Sequence, residues 1–98
     1  MPAYVVVTRE KTRDQAHLDR YKELAPASFK EHPVVFRARN GRQEVLEGSA
    51  CEQLLILEFP SYEEAQAWYH SPEYQSASKY RFQGGDYRFI VSDGIAPQ

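Results

Sequence analysis

A carboxylate at the end of an apolar run is the residue of this sequence best placed to do chemistry. Glu58 follows the run Leu-Leu-Ile-Leu, and the two-residue period of a strand puts it on one face with Leu54 and Ile56. A carboxylate on an apolar face is either paired with an arginine or has its pKa raised by desolvation. Glu58 is therefore a candidate catalytic acid or base in a pocket between a sheet and its helices. The alternative is a structural ion pair at the end of the strand.

Arginines and aromatic rings supply candidate substrate contacts. Period two places Arg37 and Arg39 on one strand face, where they could hold a carboxylate or phosphate, or discourage aggregation of an edge strand. Aromatic residues around the Ser71-Pro72 break could wall an aromatic substrate, or fill the core and contact a partner. The candidate substrate-binding residues are Tyr21, Arg37, Arg39, Trp68, Tyr69, Tyr74 and Arg81.

The sequence offers little support for metal or cofactor chemistry. His17, His32 and His70 are scattered, and neither a His-x-His nor a His-Glu-x-x-His spacing occurs. Cys51 is the single cysteine, which excludes an intrachain disulfide and fits a reducing compartment. We therefore expect no protein-built metal site.

Charge and hydropathy argue against two further classes of partner. A net charge of −2 over 98 residues leaves neither a basic footprint for nucleic acid nor a polybasic run for a membrane surface. No window approaches the roughly 20 apolar residues of a membrane helix, and the start Met-Pro-Ala-Tyr lacks the basic region of a signal peptide. We expect a cytoplasmic protein that binds neither nucleic acid nor membrane.

The order of elements predicts one α+β domain over residues 1–98. Strand and helix signals follow the order β-α-β-(β)-β-α-β, which is typical of the ferredoxin-like fold. That fold is a four-stranded antiparallel sheet with helices on one face. Asn40-Gly41 favours a turn into an extra β-hairpin arm over 44–48. The main strands are predicted over 3–8, 34–39, 52–59 and 86–92.

Each helical region has a recognisable start. Ser61 opens a Ser-x-x-Glu capping box, and Ser71 precedes Pro72, which suits the first position of a helix because its missing N–H costs nothing there. The first helix has two rival N-cap residues, Thr12 and Asp14. These signals predict one helix after the first strand and two consecutive helices after the third.

The first and third strands are apolar on both faces. Helices cover only one face of such a sheet, yet Val-Val-Val and Leu-Leu-Ile-Leu leave no polar face for water. A second copy packed sheet against sheet would cover the other face, and the alternative is a pair of short central strands whose ragged edges hide it. We therefore expect a homodimer formed through sheet-to-sheet packing.

Several stretches together resemble a known family. They are Met-Pro-Ala-Tyr-Val-Val-Val, R-x-R-N-G-x-x-E-V-L-E-G, L-E-F-P-S, A-x-A-W-Y and S-P-E-Y-Q. Over residues 2–94 the chain resembles the domain-of-unknown-function family 1330, which belongs to the dimeric α/β-barrel superfamily. The resemblance implies the ferredoxin-like fold and a sheet-to-sheet dimer, and it implies no established activity.

The wider superfamily suggests classes of function by analogy alone. It includes cofactor-free monooxygenases, muconolactone-isomerase-like proteins and haem-degrading enzymes. The haem-degrading enzymes use an Asn, a Trp and a His together; Trp68 is present, but the first strand has no Asn, so that chemistry does not carry over. By this analogy, the leading hypothesis is a protein that binds or transforms a small organic acid or aromatic metabolite without a cofactor, as the monooxygenase- or isomerase-like members do. The alternative is a non-catalytic binding or assembly module with a purely structural polar core.

Overall fold

A four-stranded antiparallel sheet is the frame of the molecule. The structure is a computed structural model and describes residues 1–96. The strands lie in the order β2-β3-β1-β4, which confirms the ferredoxin-like topology predicted from the sequence. In chain order the elements are β1 (Ala3–Thr12), α1 (Gln15–Leu24), a 3-10 helix (Ala25–Phe29), β2 (Val35–Arg39), β3 (Gln53–Phe59), α2 (Tyr62–Tyr69), α3 (Pro72–Gly84) and β4 (Gly85–Asp93).

Register divides the residues of the sheet between two faces. Val5 lies opposite Leu57 and Val91, and this face packs against the helices to form the core. The alternate residues form the other face, called the open face below. Its central members are Tyr4, Val6, Ile56, Glu58 and Ile90. No helix within residues 1–96 is long and apolar enough to cross a membrane.

Side-chain caps begin the three α-helices. Asp14 is the N-cap of α1, where its carboxylate accepts from the backbone N–H groups of Ala16 and His17. Thr12, its predicted rival, instead ends β1. Ser61 and Ser71 cap α2 and α3 as predicted, because each hydroxyl accepts the N–H three residues on.

Trp68 is the centre of the core. Its ring stacks on Phe29 at 5.1 Å and on Phe59 at 5.4 Å between centroids. The indole N–H donates to the Ser28 hydroxyl at 2.9 Å, so the buried donor is satisfied. The 3-10 helix is therefore attached to α2 through both Phe29 and Ser28.

The predicted hairpin arm over 44–48 is wrong. Residues 41–52 contain no strand. Asn40 does adopt the left-handed φ of 55° that a tight turn requires, but the chain then leaves the sheet. The Gln53 amide donates to the Asn40 side chain, which ties the two ends of the connection together. The Asn-Gly signal thus marks a bend that opens a long loop.

The prediction that Arg37 and Arg39 share one face is also wrong. β2 pairs with β3 through a register shift between Phe36 and Ala38, which is a β-bulge. The extra residue places Arg39 opposite Leu55, on the helix-covered face. Arg37 instead reaches Glu58 on the open face. The bulge therefore sends the two guanidinium groups to opposite sides of the sheet.

Candidate functional site

A cleft lies between the helix-covered face of the sheet and the junction of α1 with the 3-10 helix. Its volume is about 220 Å³, and its walls are mainly apolar. The sheet contributes Leu55 and Leu57 to its floor, and Ala25 stands on the opposite wall. Aromatic rings supply most of the remaining lining: Tyr21, Phe29, Phe36, Trp68 and Phe89.

The rim of the cleft is polar and positively charged. The Arg39 guanidinium lies 4.4 Å from the centroid of the Phe36 ring, a cation–π contact that holds it beside the opening. Lys22 of α1 also lines the cleft, and Asn40 and Gln53 add amide groups. Over residues 1–96, the lining includes two cations and no carboxylate. The charge of the cleft therefore favours a ligand with a negative end.

The hydroxyl of Tyr21, which lines the cleft, meets the hydroxyl of Tyr74, which lies behind the lining; this side is called the inner end of the cleft. The Tyr21 and Tyr74 oxygens are 2.8 Å apart, and the two rings are arranged edge to face at 6.2 Å. Burial raises the pKa of Tyr21 well above its usual range, and the nearby charge of Arg81 lowers it in part. Burial likewise raises the pKa of Tyr74, and Arg81 again opposes that shift. Both phenols therefore stay protonated near neutral pH and can act as hydrogen-bond donors.

Arg81 is a buried cation beside this pair. Only 4% of the residue is exposed. The central carbon of its guanidinium lies 4.1, 4.6 and 5.2 Å from the ring centroids of Phe89, Phe82 and Tyr87. Its Nε–H is buried and has no hydrogen-bond partner in the structure. Within residues 1–96 no carboxylate lies at ion-pair distance from Arg81. Its charge is instead met by these aromatic faces and by the hydroxyl of Tyr74, whose pKa, raised by burial, it lowers in part.

Glu58 lies away from the cleft, on the open face. Its carboxylate accepts from Arg37 Nε at 3.1 Å and from a terminal guanidinium nitrogen at 3.4 Å. These hydrogen bonds lower the pKa of Glu58, and a hydrogen bond with Tyr4 acts in the same direction against desolvation. Glu58 is therefore an ionised, paired carboxylate. The expectation of a pocket between sheet and helices for this residue is wrong, because the even-numbered residues of β3 face away from the helices.

The predicted aromatic cluster around Ser71-Pro72 exists. Tyr74 lies 4.3 Å from Trp68 and 5.4 Å from Tyr69 between ring centroids. Trp68 and Tyr74 are fully buried in the core, and Trp68 also lines the cleft. Tyr69 instead lines a separate cavity of about 160 Å³ against β4.

The structure thus divides the predicted substrate-binding residues into groups. Tyr21, Arg39 and Trp68 line the cleft. Tyr74 and Arg81 lie directly behind it, Tyr69 borders the second cavity, and Arg37 is on the open face. A substrate-binding role for each of them stays a prediction.

Sequence reasoning missed several residues of the cleft. Lys22, Phe36 and Phe89 line the cleft, but their positions in the sequence carry no signal of a ligand contact. Asn40 was recognised only as part of a turn, and Gln53 carried no signal. The bulge in β2 is what brings Arg39 and Asn40 to the rim, and no residue pattern in the sequence announces it.

Two further observations bear on the chemistry of the site. Among the described residues there is no group of three His, Cys, Asp or Glu side chains that could hold a metal ion. No curated protein matches the sequence significantly.

A family model described as a domain of unknown function, DUF1330, matches residues 2–95. The chain belongs to this family, which confirms the resemblance found in the sequence.

Solved structures share the fold at low sequence identity. A protein of unknown function from Rhodopseudomonas palustris is 18% identical, with a TM-score of 0.72 over 98% of this chain and 84% of that one. A dimeric ferredoxin-like protein of unknown function from a Jannaschia species is 17% identical, with a TM-score of 0.70 over 96% and 100%. SnoaB, a cofactor-independent oxygenase from Streptomyces nogalater, is 9% identical, with a TM-score of 0.66 over 98% and 95%. At these identities the likeness establishes the fold alone.

Proposed function

We propose that this protein is a small cytoplasmic homodimer that binds a small organic acid or aromatic metabolite in the cleft, and that any transformation of this ligand there needs no cofactor. The observation that carries the proposal is an apolar, ring-lined cleft whose rim holds Lys22 and Arg39 and no carboxylate. Ligand sites are typically concave and mostly apolar, with a few polar groups that fix orientation.

The size of the cleft limits the ligand. An apolar cavity of about 150 Å³ is enough to bind benzene. At about 220 Å³, this cleft has room for one ring with a small substituent. The rings of Phe29 and Trp68 can contact an aromatic ligand, while the positive charge of Arg39 at the rim favours the entry of an anionic one.

The proposal of a homodimer is supported by the open face. Val35 and Ile90 are 45% and 47% exposed there, and Val6 and Ile56 lie between them on the same face. Structural neighbours described as dimeric ferredoxin-like proteins come from a Jannaschia species and other bacteria. The cleft and the open face are on opposite sides of the sheet, so each subunit would keep its own cleft.

Binding without catalysis is the second candidate. The cleft lining over residues 1–96 includes neither a carboxylate nor a histidine, so the usual general bases are missing from its walls. Glu58, the predicted catalytic residue, is ionised and paired on the other side of the sheet. Cofactor-free transformation is supported by analogy, since SnoaB is described as a cofactor-independent oxygenase and shares the fold.

Thermal-shift screening against small aromatic and aliphatic acids, phenols and neutral analogues tests the proposal. A ligand that binds only the folded state raises the melting temperature by mass action. We expect single-ring acids and phenols to produce the largest shifts. Mass spectrometry of each bound compound after incubation in air then separates transformation from binding.

A matched pair of variants locates the binding site. Ala25→Leu places a larger side chain in the wall of the cleft and should abolish the shift. Ala27→Leu makes the same change in the same 3-10 helix, on an exposed position that borders a different cavity, and should preserve it. Binding in the cleft would be overturned if no compound in the library raised the melting temperature of the wild-type protein. Equal shifts of the melting temperature in both variants would overturn it as well.

A further inference from the structure

A buried cation with no acidic partner calls for a physical explanation. Burial of an unpaired charge is costly, and buried arginines are normally compensated by a carboxylate or a full set of hydrogen bonds. Arg81 is 96% buried, since 4% of the residue is exposed, and its Nε–H has no acceptor. The rings of Phe82, Tyr87 and Phe89 offset part of this cost through cation–π contact.

Arg81 lies one ring behind the wall of the cleft. The face of Phe89 is 4.1 Å from the central carbon of its guanidinium, and Phe89 also lines the cleft. A buried charge separated from the cleft by one ring is screened less than a charge in water, so it favours a negative charge in the cleft. A ligand with a negative charge would therefore gain from Arg81 without touching it.

The tyrosine pair can carry the effect of the Arg81 charge to one particular hydrogen-bond donor in the cleft. A nearby cation attracts the oxygen lone pairs of Tyr74 and turns its hydroxyl hydrogen away. The Tyr21 oxygen, 2.8 Å distant, can accept that hydrogen. The hydroxyl hydrogen of Tyr21 is then free to point into the cleft that Tyr21 lines. Successive hydrogen bonds polarise one another, so such a chain strengthens the last donor.

We propose that Tyr21 is the hydrogen-bond donor to an oxyanion of the ligand, and that Arg81 acts through Tyr74 as the buried counter-charge. The ligand class is a single-ring or similarly small apolar molecule with a carboxylate, phenolate or enolate oxygen at the inner end of the cleft. Tyr21 contacts the ligand, and Arg81 and Tyr74 are positioning residues. The inference rests on the proposed binding function of the cleft and specifies which group of the ligand it recognises.

The spectrum of bound 4-nitrophenol tests the proposal directly, because the phenolate and the phenol absorb differently. At a pH where the free compound is half ionised, we expect binding to the wild-type protein to increase the phenolate fraction. Calorimetry should also show that benzoate binds at least about tenfold more tightly than benzamide, as for a hydrogen bond to a charged group. Comparison of benzoate with 4-nitrophenol separates carboxylate from phenolate ligands.

Variants assign the effect to particular groups. Tyr21→Phe and Arg81→Met should remove most of the phenolate shift and of the preference for benzoate. Tyr80→Phe and Arg88→Gln, which make similar changes at residues that do not line the cleft, should retain both. If Arg81→Met does not fold, Tyr21→Phe tests the proposal by itself, because this substitution keeps the ring and removes only the hydroxyl.

Three outcomes would overturn the inference. Equal binding of benzoate and benzamide to the wild-type protein would exclude an oxyanion site. Retention of the phenolate shift in Tyr21→Phe would exclude the assigned donor. Loss of the anion preference in Lys22→Gln or Arg39→Gln, with Tyr21→Phe unaffected, would place the anion at the rim instead. Each of these outcomes leaves binding in the cleft intact, whereas failure of all the probes to bind contradicts the proposed function itself.

Discussion

Glu58 is a carboxylate on an apolar strand face, and its negative charge is compensated by the guanidinium group of Arg37. The side chain of Glu58 is 22% exposed and that of Arg37 is 55% exposed, so solvent screens the interaction. The hydrogen bonds from Arg37 still lower the pKa of Glu58. A carboxylate that loses its proton this readily is poorly suited to donate one near neutral pH.

The pH dependence of stability should reveal this pair. Because the folded state holds the pKa of Glu58 below its unfolded value, the unfolded chain binds more protons as the solution is acidified. The pair therefore contributes its full share of the folding stability at pH values above the unfolded pKa of Glu58. This stabilisation is lost as the pH falls through the pKa of Glu58 in the folded state. Asp14 and Glu52, whose pKa values are lowered by hydrogen bonds from His17 and Thr12, add to the same acid lability.

Urea denaturation of Glu58→Gln between pH 7 and pH 3 measures the effect. We expect the variant to be slightly less stable than the wild type at neutral pH, and the difference to disappear in acid. Glu44→Gln, a change in the exposed loop, is the control. A variant that is more stable than the wild type at neutral pH would indicate that Glu58 is strained rather than paired, and would restore its candidacy as a functional group.

At the scale of elements, the contact between α1 and α3 depends on a residue without a side chain. A Cβ atom on Gly84 would stand 2.6 Å from Leu18 Cδ2 and 3.0 Å from the Leu18 backbone nitrogen. Leu18 is fully buried, and its backbone cannot be relieved by a change of rotamer. The Gly84 carbonyl also accepts from the N–H groups of Arg13 and Asp14, which fixes the start of α1 against the end of α3.

Substitution of Gly84 by alanine should therefore destabilise the fold. We expect a loss of about 1–3 kcal/mol, typical of an overpacked core, despite the better helix propensity of alanine. Gly41→Ala is the matched control, because its added Cβ would meet no atom within 4 Å. It should change the free energy of unfolding by no more than about 0.5 kcal/mol. Chemical denaturation of the two variants checks both values, and a neutral Gly84→Ala would mean that the helices separate without cost.

Local signals in the sequence predicted the elements better than their pairing. Ser61 and Ser71 were found because a cap uses residues within one turn of each other. The loop over 41–52 and the bulge before Ala38 were missed because both depend on how β2 fits against β3. Tyr21, Arg39 and Trp68 were predicted as ligand contacts and do line the cleft, but Asn40 was not, because the bulge is what carries Arg39 and Asn40 to the rim.

At the scale of the whole molecule, the sheet has a covered face and an uncovered one. Large contiguous apolar patches are unusual on monomers and often mark contacts between proteins. The open face combines apolar residues with the Glu58–Arg37 pair, and this ion pair could form part of the polar rim of an interface. A domain of 98 residues also buries a modest share of its surface by itself, so a partner would add to its stability.

Sedimentation at micromolar concentration should therefore give about twice the mass of one chain. Ile90→Glu places a charge on the open face, where Ile90 is 47% exposed, and should shift the protein towards the monomer. Gln83→Glu adds the same charge on an exposed position of α3 and should leave the dimer intact. Because the cleft lies on the other side of the sheet, a folded Ile90→Glu monomer should still bind ligand there. A wild-type protein that is a stable monomer would contradict the assembly and leave the proposal for the cleft standing.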